Sequence, residues 1–417
     1  MNSTQHVSSR AAYFLSLEEK HGAHNYHPLP VVLNKGEGVF VYDVDGKKYF
    51  DFLSGYSAVN QGHCHPKIVK AFIAQAQQLT LTSRAFYNDK LGEFEKYITE
   101  LFGYDKVLTM NTGVEAVETA IKLCRKWAYE VKGIAEGKAK IIVCENNFHG
   151  RTSAVISFST DSSAYTGFGP LMPGFEIIPF NDLNALSQAL SDKNVAGFLV
   201  EPIQGEAGVQ VPADGYLSTA RQYCEDANVL FIADEIQTGL CRTGKLLCLD
   251  HENITPDILI LGKALSAGMM PVSAVLANDE IMLTIKPGQH GSTFGGNPLA
   301  AVVGIASLEV LIEERLADNA ATMGELFRKE IRAIKSPLIS GVRGRGLLNA
   351  IQIEHADKDA AWKICLQMMS NGLLAKPTHG DKIRFAPPLT ITKKQVLEAA
   401  DIVRESLESF DETFAAT

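Results

Sequence analysis

No stretch of this 417-residue chain is apolar for long enough to cross a bilayer, which excludes a membrane-spanning helix. Basic charge is also short: 39 lysines and arginines face 48 acidic residues, a formal net charge of -9. Such a surface repels phosphates, so a nucleic-acid partner is not expected. The seven cysteines, Cys64, Cys124, Cys144, Cys224, Cys241, Cys248 and Cys365, show neither metal-ligand nor paired spacing. An odd number without a framework predicts reduced thiols in a reducing compartment, and no metal site. The stretch Met1–Arg10 is polar with one basic residue, unlike a signal or transit peptide, so a cytoplasmic location is expected. Internal repeats, low-complexity stretches and long linkers are missing, as is any Walker-type lysine motif for a nucleotide triphosphate.

What is present is the balance of a globular protein, 46% hydrophobic and 21% charged, in a chain too long for one ordinary core. Gly38 to Phe52 predicts a hairpin about an Asp45-Gly46 turn. From about Met110, short apolar β-branched runs (Ile141–Val143, Glu176–Ile178, Gly197–Val200, Val229–Ile232, Ile258–Leu261) alternate with helical patterns at Glu115–Tyr129, Leu183–Leu190 and Leu217–Glu225. Runs of that kind belong to strands buried on both faces of a mainly parallel sheet. The expectation is an α/β domain whose site lies at the carboxyl ends of its strands. A helix over Pro298–Leu316 leads to an α+β remainder, with strands at Leu347–Ile353 and Ile383–Phe385 and a last helix at Lys393–Phe410. Three parts follow: residues 1–56 with the hairpin, a large domain over 57–316, and a small α+β domain over 317–417.

Two strand ends carry chemistry. Ile258–Leu261 and Gly262 lead into Lys263, an amine among apolar neighbours. Burial lowers a lysine's pKa and frees the amine to attack an aldehyde, although a lone lysine there also snorkels to water. The run from Val229 delivers Asp234 to the same sheet edge, with Gln237 close behind. A carboxylate after a strand often just caps a turn. Together, however, the pair suits pyridoxal 5'-phosphate (PLP), whose ring needs a carboxylate at its nitrogen to act as an electron sink. Asn111-Thr112-Gly113-Val114-Glu115 opens a helix, where free N–H groups favour a phosphate, or where Thr112 is simply an N-cap. Gly291-Ser292-Thr293-Phe294-Gly295-Gly296 puts hydroxyls in a glycine-rich loop, a second candidate phosphate element or an ordinary tight turn.

These residues together resemble the class III aminotransferases of PLP fold type I, from about Gly22 to Phe410. Longer strings are similar to the ornithine-acting branch of that family: Gly22-Ala-His-Asn-Tyr-His-Pro-Leu-Pro30, Tyr56-Ser-Ala-Val-Asn-Gln-Gly-His-Cys-His-Pro66, Thr82-Ser-Arg-Ala-Phe86, Glu201-Pro-Ile-Gln-Gly-Glu-Ala-Gly208, Ile285-Lys-Pro-Gly-Gln-His290 and Lys376-Pro-Thr-His-Gly380. The resemblance implies a mainly parallel sheet sandwiched by helices, plus the smaller domain. Lys263 would bind the cofactor covalently and shuttle protons; Asp234 would pair with the ring nitrogen, Gln237 with the phenolic oxygen, and Phe148 would stack on the ring. Gly113 and Val114 would hold the phosphate, with Ser292 and Thr293 reaching that of a neighbouring subunit in a homodimer or higher homo-oligomer. Tyr26, Tyr56, Arg151, Glu206 and Arg384 would bind substrate, the last two as a pair that parts for dicarboxylic partners. From residue type alone, the tyrosines also suit a core, Arg151 a surface, and Glu206 with Arg384 a static salt bridge. The chain departs from the family at Met269 and Met270, where glycine or leucine and tyrosine are usual. His149 stands where some ornithine-acting members carry tryptophan, although histidine is usual in the wider class. Neither departure is expected to touch a proposed catalytic group.

The reaction so implied moves the δ-amino group of L-ornithine to 2-oxoglutarate, giving glutamate 5-semialdehyde and glutamate. The alternatives are an ω-aminotransferase for N-acetylornithine or 4-aminobutyrate, and a PLP racemase or mutase, since fold alone does not set the reaction. A PLP-binding protein without turnover would have lost Lys263 or Asp234, and both are present.

Overall fold

A computed structural model describes residues 8–415. Its strands are β1 (Leu33–Glu37), β2 (Phe40–Asp43), β3 (Lys48–Asp51), β4 (Lys106–Met110), β5 (Lys140–Cys144), β6 (Phe175–Ile178), β7 (Val195–Val200), β8 (Leu230–Asp234), β9 (Ile258–Leu261), β10 (Ser273–Ala277), β11 (Ile339–Arg345), β12 (Leu348–Ile353), β13 (Leu373–Leu374), β14 (Lys376–Thr378) and β15 (Lys382–Phe385). The central sheet runs β4-β10-β9-β8-β7-β5-β6. Strands β9, β8, β7, β5 and β6 pair in parallel, and β10 lies antiparallel to both of its neighbours. Strands β7, β8, β9 and β10 are buried at every residue, because helices cover both faces. Each apolar run expected as a strand is one. Strand β4 and the antiparallel β10 were not among those expectations.

The predicted hairpin is formed by β2 and β3, with Phe40 opposite Phe50. Its sheet is completed by β13 from the C-terminal third, which lies parallel to β3. Strands β11-β12-β15-β14 make a separate antiparallel sheet, backed by the Leu316–Ala333 and Ala360–Ser370 helices, on which the Lys393–Ala415 helix packs in turn. The helix expected over Pro298–Leu316 stops at Glu313. Arg315 turns left-handed (φ 52°) and starts a second helix, so the path into the C-terminal sheet is a sharp corner rather than one rod. The polar stretch Met1–Arg10 lies partly outside the described residues. No helix among those described is long and apolar enough to cross a membrane.

Candidate active site

Parallel strands deliver their last residues to one edge, and here that edge is lined with ionisable groups. Strands β7 and β8 are in register at Val200 and Ala233, so the residues that follow, Glu201 and Asp234, sit side by side. After β5 the chain brings His149 over the same edge. Its Nδ1 lies 2.6 Å from Asp234 Oδ2, with both side chains almost wholly buried. Asp234 Oδ1 accepts the amide of Ile236 at 3.1 Å. Glu201 accepts the amide of Phe148 at 2.8 Å; burial pushes its carboxyl up to about 7, Asp234 adding to the effect and His149 opposing it. His149 itself is held above its ordinary value, because Asp234 outweighs the burial that works the other way. The expectation that this departure touches no catalytic group is therefore corrected: His149 is bonded to Asp234.

Lys263 follows β9 through Gly262 in a left-handed backbone conformation (φ 43°). Burial, with help from Arg384, keeps its amine below the usual lysine value, against the pull of Glu206 and Asp234. It opens into a cavity of about 810 Å³ whose walls include Tyr26, Tyr56, Phe148, Arg151 and Glu206. An adjoining pocket of about 520 Å³ shares the last four of these and adds Arg384. The Arg151 guanidinium stands 5.3 Å from the centre of the Phe148 ring and is half exposed. Tyr26 is 70% exposed, at the cavity mouth.

Tyr56 reaches the cavity through unusual backbone. Ser54, Gly55, Tyr56 and Ser57 form a single left-handed turn with φ of 50°, 57°, 61° and 68°. Left-handed geometry costs roughly 1–2 kcal/mol for each residue with a side chain. The Asp51 carboxylate, taking the amides of Leu53 and Ser54 at 2.9 and 2.8 Å, helps to hold the entrance to the turn. The result sets the Tyr56 ring 5.2 Å from the Arg384 guanidinium.

Arg384, on β15, is 2% exposed and donates from Nη1 to Glu206 Oε1 at 2.5 Å. Although burial works against it, the nearby Arg384 and Lys263 hold the Glu206 carboxyl at about 2. The same oxygen accepts Gln237 Nε2 at 3.1 Å, leaving Gln237 Oε1 buried and unpartnered. A side chain at Gly205 would overlap that amide and push it away from Glu206, so glycine there leaves room for the Gln237–Glu206 contact.

At the other end of the site, Thr112 caps the Gly113–Trp127 helix in a reciprocal box with Glu115, whose carboxylate takes the amides of Asn111 and Thr112. The amides of Gly113 and Val114 donate to no acceptor among the described residues, as a phosphate site requires. Ser292 lies against this turn, accepting Asn111 Nδ2 at 2.7 Å. Thr293 is exposed, and within one chain the structure does not bring it into the cavity. Sequence reasoning passed over Glu201 and His149 as members of this site. Glu201 carries the signal that marked Asp234, a carboxylate straight after a buried run; His149 carries none.

The sequence model of the family described as aminotransferase class-III matches residues 21–407. Ornithine aminotransferase of Drosophila melanogaster, a mitochondrial protein, is 62% identical over 406 residues, covering 97% of this chain and 94% of its own. Among solved structures, the ornithine aminotransferase of Toxoplasma gondii, crystallised with partial PLP occupancy, superposes with a TM-score of 0.95 at 50% identity, over 97% and 95% of the two chains. An acetylornithine aminotransferase from Elizabethkingia anophelis superposes with a TM-score of 0.88 at 60% identity, over 96% and 99%.

Proposed function

The chain belongs to the class III aminotransferases, and on that premise we propose that it transfers the δ-amino group of L-ornithine to 2-oxoglutarate in two half-reactions. PLP is the cofactor; when bound it supplies an aldehyde for the amine and a ring that takes up electrons. The residues present fit it. A buried amide oxygen of Gln237 lacks a partner, the helix amides of Gly113 and Val114 are free for a phosphate, and Asp234 is a buried carboxylate at the sheet edge.

In this reading Lys263 would hold the cofactor and would carry a proton at its Nζ. Asp234, aimed by His149, would hold the ring nitrogen, Phe148 would lie against the ring, and Gln237 would serve the phenolic oxygen. Arg151 and Tyr26 hold the α-carboxylate end of ornithine, so that the distant amine reaches Lys263, and Tyr56 narrows the pocket beside Arg384. Ser292 and Thr293 reach the phosphate of a second subunit, which makes the working unit a homodimer. A cytoplasmic location is consistent with seven unpaired cysteines, although the fruit-fly relative is mitochondrial.

The observation that carries the substrate assignment is the Glu206–Arg384 pair, its arginine buried and its carboxylate partly so, in the wall of the pocket that Arg151 also lines. Paired, the two cancel and accept a cationic substrate; parted, Arg384 grips a second carboxylate in a bidentate manner. The 60% identity to an acetylornithine enzyme favours one second reading, N-acetylornithine as donor. Assays of L-ornithine, N-acetylornithine and 4-aminobutyrate, each with 2-oxoglutarate, test the choice. Ornithine should give the highest kcat/KM, and preference for either other donor would refute the assignment.

A further inference from the structure

The loop that carries Ser292 and Thr293 is fastened to the Gly113–Trp127 helix by a histidine whose protonation state the geometry determines. His290 Nε2 lies 2.7 Å from Thr119 Oγ1, and His290 Nδ1 lies 2.9 Å from Lys122 Nζ. An ammonium has only donors, so Nδ1 must present its lone pair. The single hydroxyl proton of Thr119 is already given to the Glu115 carbonyl at 2.7 Å, so Thr119 Oγ1 accepts from Nε2–H. Both contacts therefore select the same form, a neutral imidazole protonated at Nε2. Lys122 adds a bond to the Gln289 carbonyl at 3.2 Å. Two residues further on, Asn111 Nδ2 donates to Ser292 Oγ. The loop is thus tied both to the helix whose first amides are assigned to the phosphate, at Thr119 and Lys122, and to the turn that opens it, at Asn111.

We infer that His290 is a positioning residue for the cofactor phosphate: neutral, it pins the Gly291–Gly296 loop onto the phosphate-binding helix, and a second proton undoes the pin. This rests on the phosphate placement proposed above. A proton on Nδ1 would face the Lys122 ammonium at bonding distance, which no hydrogen bond can bridge. The charged groups facing the ring are Lys122, which with burial disfavours the cation, and Glu115 and Glu118 on the same helix, which partly offset it. Lys286, in the segment that leads into the loop, donates to the Leu283 carbonyl. Because the folded state holds this histidine below its ordinary value, the pin is complete above about pH 6.5 and is lost as pH falls through the lowered value.

The test follows release of PLP from the holoenzyme by absorbance at a series of pH values between about 5 and 8. Wild-type protein should release PLP about tenfold faster at the acid end, the scale of one lost charge-assisted hydrogen bond. His290→Gln can accept from Lys122 through its carbonyl and donate to Thr119 through its amide without titrating, so it should keep PLP at pH 8 and lose most of the acid acceleration. His290→Leu should release PLP rapidly at every pH. Lys122→Met, which removes the neighbouring cation, should move the wild-type transition to higher pH. Nitrogen-15 shifts of labelled histidine in the apoenzyme should separately report an unprotonated Nδ1. An unchanged pH profile in His290→Gln, or tight retention in His290→Leu at pH 8, would overturn the inference while leaving ornithine transamination untouched. Wild-type protein unable to hold PLP at any pH would instead overturn the phosphate placement beneath it.

Discussion

Replacing Glu206 by glutamine removes one charge from the centre of the site while keeping its shape, and its consequences can be worked out in advance. In the folded protein this carboxyl sits at about 2 rather than 4.5, which corresponds to about 3 kcal/mol of preference for the ionised form. The figure agrees in scale with the roughly 3–5 kcal/mol lost when a buried ion pair is broken from one side. Because the folded value is depressed, the stabilisation is present above the unfolded value of about 4.5 and is lost as pH falls through about 2. At neutral pH Glu206→Gln should therefore lower the denaturant midpoint without changing the slope of the transition. The catalytic effect is asymmetric. Arg384, now uncancelled and 2% exposed, repels the ammonium groups of ornithine and is free for the α-carboxylate of glutamate. A charge-assisted hydrogen bond or its loss is worth about tenfold or more, so kcat/KM should fall by about that factor for ornithine and rise by a similar factor for glutamate. Each half-reaction is measured alone, from the change in cofactor absorbance in single-turnover mixing. Equal slowing of both would refute the switch and reduce Glu206 and Arg384 to a structural pair.

Borohydride reduction of the holoenzyme followed by peptide mapping should find the cofactor on Lys263; a label on any other lysine would undo the central assignment. Gly324→Ala should destabilise the protein without changing its substrate preference, because a Cβ there would overlap the Gly346 carbonyl between the Leu316–Ala333 helix and the C-terminal sheet. Overpacking against rigid backbone costs about 1–3 kcal/mol or more, and a melting temperature equal to wild type would contradict the packing described.

Much of the site was legible because its chemistry hangs on strand ends. Val229–Ile232 and Ile258–Leu261 are short, continuous and β-branched, a pattern that belongs to strands buried on both faces. Once they are strands in one parallel sheet, Asp234 and Lys263 must emerge at the same edge. The turn at Ser54–Ser57 was not legible, since only Gly55 of its four residues favours left-handed backbone. The corner at Arg315 was hidden for the same reason: an apolar helical pattern continued across a residue that bends only in three dimensions.

Local pattern thus determined which segments are strands, which are helices, and which side chains stand at their ends, because periodicity and β-branching act on the chain residue by residue. Strand direction, order and long-range contact were decided elsewhere. Strand β10 is as fully buried as the parallel strands β7, β8 and β9 yet runs against β9, since a strand buried on both faces satisfies its backbone in either direction. The hairpin found its fourth strand in β13, more than three hundred residues away. His149 meets Asp234 only because β5 and β8 flank β7 in the folded sheet. Such contacts depend on how strands pair and stack, and no local pattern of residues specifies that.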